Sequence, residues 1–301
     1  MIELAGRWHA KTPSLSCVSR GGNLVYRFES SAGRSYMRMS ASDVRSLDLV
    51  AGAVDWHRYL HQSGAPVAEP VASAHGFWVE VLAGDPMPIF ATVTREVQGK
   101  HVDFSSLADI AAWADAIGRI HAVSEGYKPS SVSTSAGIVE GRLPTLLDLL
   151  TQLSPAVRDD PLLQAHYDRG IGWLREQFDR PLVTHADVRP GNALIGETSV
   201  TMIDFDEPTH AWPAYDLARM MMDDEARLPP SAAEHVTAIL DGYRRARPQI
   251  TISVEEISQF LSIRALLMYV WSLDDATTDT AWRDRLRTVL EHPNPDRARN
   301  V

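Results

Sequence analysis

Near residue 100 the apolar pattern of this 301-residue chain changes period, from the alternation of strands to the three-to-four spacing of helices. Before that point, residues 14 to 39 alternate in the strand manner. SLSCVSR meets a break at Gly21-Gly22, then NLVYRFES, a second break at Ser31 to Arg34, and SYMRMS. Three short β-runs joined by tight turns predict an antiparallel meander. Residues 42 to 61 read as a helix, with Leu47, Val50, Val54 and Leu60 among its apolar positions and the Ser40-Ala-Ser42-Asp43 stretch as candidate caps. Two further β-type runs, PVASAHGFWVEVLAG and PIFATVTREVQG, bring the expected sheet to about five strands.

After Gly99, residues 105 to 123 predict an amphipathic helix with Leu107, Ile110, Trp113, Ile117 and Ile120 on one face. Residues 124 to 142 are rich in Ser and Gly and read as loop. Helical texture returns at 143–153, 158–178, 213–225, 231–247, 253–274 and 279–291. The layout predicts an α+β chain: a β-rich lobe over 1–97 and a mostly helical lobe over 98–301. A chain so divided is expected to hold its ligand in the cleft between lobes. One cysteine, Cys17, excludes a disulfide framework, and its place in a β-run predicts a small buried side chain. The N-terminus lacks a basic start and apolar run, and no stretch approaches 18 apolar residues, so the expectation is a cytoplasmic protein without a membrane partner. Asp and Glu number 39 against 29 Lys and Arg, a net charge of −10, which argues against a nucleic-acid partner.

Between two apolar runs lies the most informative segment, His185-Ala-Asp187-Val-Arg189-Pro-Gly-Asn192, followed by Met202-Ile-Asp204-Phe-Asp206. Phosphoryl transfer from ATP needs a carboxylate to accept the acceptor hydroxyl's proton, and oxygen ligands that hold Mg2+ against the phosphates. An Asp followed five residues later by Asn supplies a base and one ligand, and a second Asp at the end of a nearby strand supplies another. Magnesium takes few protein oxygens beside phosphate and water, which suits so sparse a set.

These residues resemble the aminoglycoside phosphotransferase and choline kinase family, a branch of the protein-kinase-like fold. The family carries H-G-D-x-x-x-x-N and then a hydrophobic-Asp-Φ-Asp/Glu motif; here the match is HADVRPGN and IDFD, with Ala186 in place of the usual Gly. The resemblance spans roughly residues 14 to 292. It implies a bilobal fold, Asp187 as catalytic base, His185 as a brace of the loop, and Asn192 and Asp204 as Mg2+ ligands. Arg189 stands where the protein-kinase pattern has a lysine. Tyr215-Asp216-Leu217-Ala218 matches the family's Y-D-L-A, whose Asp is mainly structural. Gly21, Gly22 and Asn23 resemble the turn over the nucleotide phosphates, and Glu96 and Val97 the hinge that meets adenine. Two positions depart from the pattern. Arg38 stands where the third strand carries the phosphate-contacting lysine, and Ala53 where the next helix carries its glutamate. Asp55, about 200° around that helix from Ala53, points elsewhere.

The implied activity is an ATP- and Mg2+-dependent kinase, with GTP also open as donor, acting on a hydroxyl of an aminoglycoside or other natural product. The implied use is antibiotic resistance, by a monomer or homodimer. A Ser/Thr protein kinase, a homoserine or choline kinase, and a non-catalytic nucleotide-binding pseudokinase are the alternatives. Asp206, Asp223, Asp224, Asp274 and Asp275, with the net charge, suggest a cationic acceptor. The aromatics Trp212, Tyr269 and Trp271 are expected mainly in packing. His57 and His61 share one helix face, but no third ligand follows, so packing is expected there too.

Overall fold

The alternation over the first strands builds an antiparallel meander in the computed structural model, which describes residues 2–10, 15–20, 23–84, 86–176, 181–197, 199–229, 231–274 and 278–292. In chain order the elements begin with α1 (Ile2–Gly6), β1 (Ser16–Arg20), β2 (Leu24–Ser30), β3 (Gly33–Ala41), α2 (Leu47–Gln62), β4 (Glu80–Leu82), β5 (Ile89–Arg95) and β6 (Lys100–His101). Next come α3 (Leu107–Ser124), β7 (Ser131–Thr134), β8 (Gly137–Glu140), α4 (Leu146–Gln152), α5 (Ser154–Val157) and α6 (Pro161–Glu176). The last third holds β9 (Leu182–Thr184), a 3-10 turn at Pro190–Asn192, β10 (Ala193–Ile195), β11 (Val200–Met202), β12 (Thr209–Ala211), α7 (Pro213–Arg219), α8 (Ala232–Ala246), α9 (Val254–Asp274) and α10 (Thr280–Glu291).

The chain resolves into two units, neither a single stretch. Unit 1 takes Met1–Gly99, Gly126–Leu143 and Thr201–Asp206; unit 2 takes Lys100–Glu125, Pro144–Val200 and Glu207–Val301.

In unit 1 the strands run in the order β1-β2-β3-β5-β4, every neighbour antiparallel. Alternation sends Met37, Met39, Ala91 and Val93 to one face, where Leu4, Ala5 and Trp8 of the α1 segment cover them. Phe90, of opposite parity, joins Val50 and Ala51 of α2 on the other face. Cys17, expected inside, is exposed on the edge strand β1. Helix α2 starts at Leu47 with Ser46 as N-cap, later than its apolar pattern suggests. The residues before it form a turn in which the Val44 and Arg45 amides donate to the Ala41 carbonyl at 3.0 and 3.1 Å. The stretch expected as loop carries the β7–β8 hairpin, with Val132 and Thr134 buried. Its period of two is only four residues long and hidden among serines. Asp55 of α2 ties this segment down, accepting from Tyr127 Oη at 2.8 Å and the Ser130 amide at 2.7 Å.

In unit 2, Ser106 caps α3, accepting the Asp109 amide at 3.2 Å, and Ile110, Trp113, Ile117 and Ile120 are buried. Helix α8 lies along α3, and glycine permits the approach: a Cβ on Gly242 would stand 2.1 Å from the Ala111 carbonyl oxygen. Strand β12 pairs with β9, and β10 with β6. Helix α7 stops at Arg219, short of the residue 225 expected, because Asp223 turns the chain by accepting the Glu225 and Arg227 amides, both at 2.8 Å.

Candidate active site

The loop after β9 is held from beneath by Asp216 of α7. Its Oδ2 accepts the His185 amide at 2.9 Å and its Oδ1 the Ala186 amide at 2.8 Å. Buried His121 donates to Asp216 at 3.0 Å and meets Tyr243 Oη at 3.1 Å on its other nitrogen. Ala186 has φ of 64°, the left-handed backbone that explains why a glycine is usual there. His185 is fully buried and accepts the Asp187 amide at 3.3 Å.

Asp187 and Asn192 meet across the turn at Pro190–Asn192. Asn192 Nδ2 donates to the Asp187 carbonyl at 3.0 Å and to Asp187 Oδ2 at 2.8 Å. Its amide nitrogen is therefore committed to Asp187, which orients the amide oxygen as the group available to a metal. Arg189 donates from Nε to Asp187 Oδ2 at 3.1 Å and from Nη1 to Asp224 Oδ1 at 2.7 Å.

Two arginines that the sequence reading missed reach the same carboxylate. Arg219 Nε lies 3.7 Å and Arg264 Nη2 3.5 Å from Asp187 Oδ1. Burial alone would raise the Asp187 carboxyl; Arg219, Arg264 and Arg189 outweigh it and pull it down to about 2. Arg264 had a signal in the sequence, a lone charge inside the apolar run of α9 between Ile263 and Ala265. Arg219, in the last turn of α7, had none of that kind.

In unit 1, Arg38 extends from the α2 face of β3 and forks across two aspartates. Nη2 lies 2.5 Å from Asp204 Oδ1 and Nη1 2.6 Å from Asp206 Oδ2. Asp204 takes φ of 68°, a second left-handed residue in a motif. Asp206 is held in turn: Asn23 Nδ2 donates to it at 2.9 Å, Ser40 Oγ donates to Asn23 Oδ1 at 2.6 Å, and Arg45 donates to its backbone carbonyl. Burial, with Asp204 alongside, pushes the Asp206 carboxyl up against the pull of Arg38 and Arg45. Helix α2 offers no acid at buried Ala53, and the aspartates of the IDFD motif meet the arginine instead.

The remaining sequence candidates are placed as follows. Glu96 donates its amide to the Arg34 carbonyl at 3.0 Å and accepts on its carboxylate from Arg34, Tyr36 and Gln98, and Val97 follows it. Gly21, Gly22 and Asp275 lie outside the described residues, as does the side chain of Asp274. Asp223 pairs with Arg227 at 3.6 Å, and Asp224 with Arg189. Asp206, in unit 1, carries Arg38. The acids expected to receive a cation are thus already partnered where they are described. His57 is buried, 2.7 Å from the Ala68 carbonyl and stacked on Phe205 at 4.2 Å, so it packs rather than ligates. Trp212 packs on Phe260, whereas Trp271 is 40% exposed beside Arg264.

An antiparallel sheet backed by α2, and a helical unit carrying the Asp187–Asn192 loop, are together the fold of protein-kinase-like phosphotransferases. The chain belongs to the phosphotransferase enzyme family, whose model matches residues 18–248. It is 22% identical over 291 residues to amicoumacin kinase of Bacillus subtilis (strain 168), covering 89% of this chain and 82% of the relative. An amicoumacin kinase solved with AMP-PNP, Ca2+ and Ami superposes with a TM-score of 0.78 at 21% identity, covering 98% of this chain and 93% of the other. A microcompartment-associated aminopropanol kinase gives 0.71 at 19% identity over 96% and 95%. Spectinomycin phosphotransferase with ADP and spectinomycin gives 0.60 at 13% identity over 99% and 95%.

Proposed function

We propose that this phosphotransferase moves the γ-phosphoryl group of ATP to a hydroxyl of a small molecule. The observation that carries the reading is the Asp187 carboxylate, kept ionised by three guanidiniums and oriented by Asn192. Asp187 accepts the proton as the hydroxyl oxygen bonds to the γ-phosphorus, the bridging P–O bond breaks, and ADP leaves with the electron pair. Asn192 and Asp204 are the residues that would hold Mg2+. The amide oxygen of one and the carboxylate of the other are the hard donors this ion takes, and bound there it would neutralise phosphate charge. Arg38 is the phosphate-contacting cation, Gly21, Gly22 and Asn23 belong to the turn over the phosphates, and Glu96 and Val97 to the adenine hinge. Residues 1–97 thereby serve the nucleotide and 98–301 the catalysis and acceptor. His185 braces the base, and Arg189 screens it.

Relatives named for amicoumacin, aminopropanol and spectinomycin support a small-molecule acceptor, and antibiotic resistance is the use that follows for an antibiotic acceptor. The paired state of Asp206, Asp223 and Asp224 leaves the cationic acceptor without structural support. No helix among the described residues is long and apolar enough to cross a membrane, and a reaction drawing on ATP suits the cytoplasm. The test is ADP release from ATP, and GDP release from GTP, over a panel of hydroxyl acceptors with Mg2+ or with chelator. Release that needs acceptor and Mg2+ and is lost in Asp187→Ala supports the reading; release indifferent to Asp187 overturns it.

A further inference from the structure

Three guanidiniums gather around the Asp187 carboxylate, and two of them are buried with donors left over. Arg219 and Arg264 approach one oxygen, Asp187 Oδ1, while Arg189 takes Oδ2. Asp224 answers Arg189, and the next acid, Glu207, is 3.9 Å from Arg264 and 43% exposed. Arg219 is 3% exposed and Arg264 4%. Arg219 gives Nη1 to the Met222 and Asp223 carbonyls at 2.9 and 3.5 Å, and Arg264 gives Nη1 to Tyr215 Oη at 3.0 Å. The Nε atoms of both are buried with no hydrogen-bond partner among the described residues. Burial drives the Arg219 guanidinium down to about 10 in spite of Asp187.

A guanidinium is a planar fork of five donors that matches a planar oxyanion. Left short of acceptors in the interior, it is costly to keep unless an anion arrives. If Asp187 is the base, the acceptor hydroxyl must come to its carboxylate, and an acceptor placed there comes within reach of both arginines. We propose that Arg219 and Arg264 form an oxyanion receptor beside Asp187, and that the acceptor presents a carboxylate there, a few covalent bonds from the hydroxyl it offers. The favoured acceptors are hydroxy acids, the reverse of what net charge alone suggests. The inference rests on the phosphotransferase reading. The transferring phosphoryl group is the other source of such an oxyanion. It is the less favoured one, because the proposed reading already gives the nucleotide its own cation in Arg38.

The experiment measures ADP release with lactate, glycerate and malate against the matching carboxamides, in the parent and in Arg219→Gln and Arg264→Gln. The expected result is that the acids exceed their amides in kcat/KM by about tenfold or more. Each Gln variant should shrink the acid-over-amide ratio of kcat/KM by a similar factor, through a KM for the acids that rises more than that for the amides, and leave the Kd for AMP-PNP unchanged. Arg→Lys at either position keeps charge without the fork and should recover part of the loss. Should the Gln variants fail to fold, the acid–amide comparison in the parent still decides the point. Acids no better than amides would overturn the proposal. So would a fall in kcat shared equally by acids and amides, which assigns the arginines to the phosphoryl group. ADP release from neutral or cationic acceptors alone, lost in Asp187→Ala, keeps the phosphotransferase and sinks the hydroxy acid. Absence of ADP release with every acceptor sinks both.

Discussion

Asp216 Oδ1 accepts the Ala186 amide at 2.8 Å, at a residue whose φ of 64° puts its Cβ in the crowded left-handed region. The carboxylate holds in place a backbone turn that alanine resists. Ala186→Gly should therefore stabilise the chain by roughly 1 kcal/mol, since a left-handed L-residue costs about that much. Thermal unfolding of the two proteins checks it, with activity expected to stay level.

Removing the Asp187 charge separates chemistry from binding. Asp187→Asn keeps the shape of the side chain and should lower kcat by about 10²- to 10⁴-fold, the usual worth of a general base. The Kd for AMP-PNP should not move. Near-normal turnover in this variant would dismiss Asp187 as base.

The fork of Arg38 over Asp204 and Asp206 replaces a helix glutamate. Arg38→Ala should weaken AMP-PNP binding by about tenfold or more, the loss of one charge-assisted fork. Ala53→Glu should give no tighter binding, because the arginine already has its anions. It should also cost about 1–3 kcal/mol of stability, from a buried charge without a partner. Titration calorimetry and urea unfolding read the two effects separately.

Acid should loosen unit 2 through His235. This side chain is buried against Phe104, ring centroids 4.6 Å apart, and burial pushes it down to about 4 from an ordinary 6.5. Between those values the unfolded chain binds a proton that the folded chain refuses. Stability is therefore full above about pH 6.5 and falls as pH drops toward 4. Burial depresses His166 and His210 as well, adding to the slope. Urea midpoints measured at about pH 7.5 and 5 should differ less in His235→Gln than in the parent.

The parts of this molecule that were legible in its sequence are those written in neighbouring residues. The meander, α3, α9 and the Asp187–Asn192 spacing each depend on short-range pattern, and each reads off directly. The β7–β8 hairpin did not, because two buried positions in four residues make too short a period. Helix α1, five residues long, is likewise below what periodicity detects. Arg219 and Arg264 come from α7 and α9, far along the chain from Asp187, and only helix packing carries them to it. The partners of Arg38 were written in the IDFD motif itself, but nothing in its spacing says that both aspartates turn toward β3.

Unit 1 is finished by the segment 201–206, about a hundred residues after its five-stranded sheet. That segment fastens on at several points: the Met202 amide donates to Pro66 at 2.9 Å, the Ala68 amide to Met202 at 3.0 Å, and Phe205 stacks on His57. A ribosome adding roughly 5–20 residues per second takes on the order of 5–20 s to cover the interval from residue 99 to 201. During translation the five strands are thus complete well before their last fastening exists. Arg38 waits through that interval with neither aspartate to hold it, so the Arg38–Asp204–Asp206 fork is among the last pieces of unit 1 to be assembled on the nascent chain.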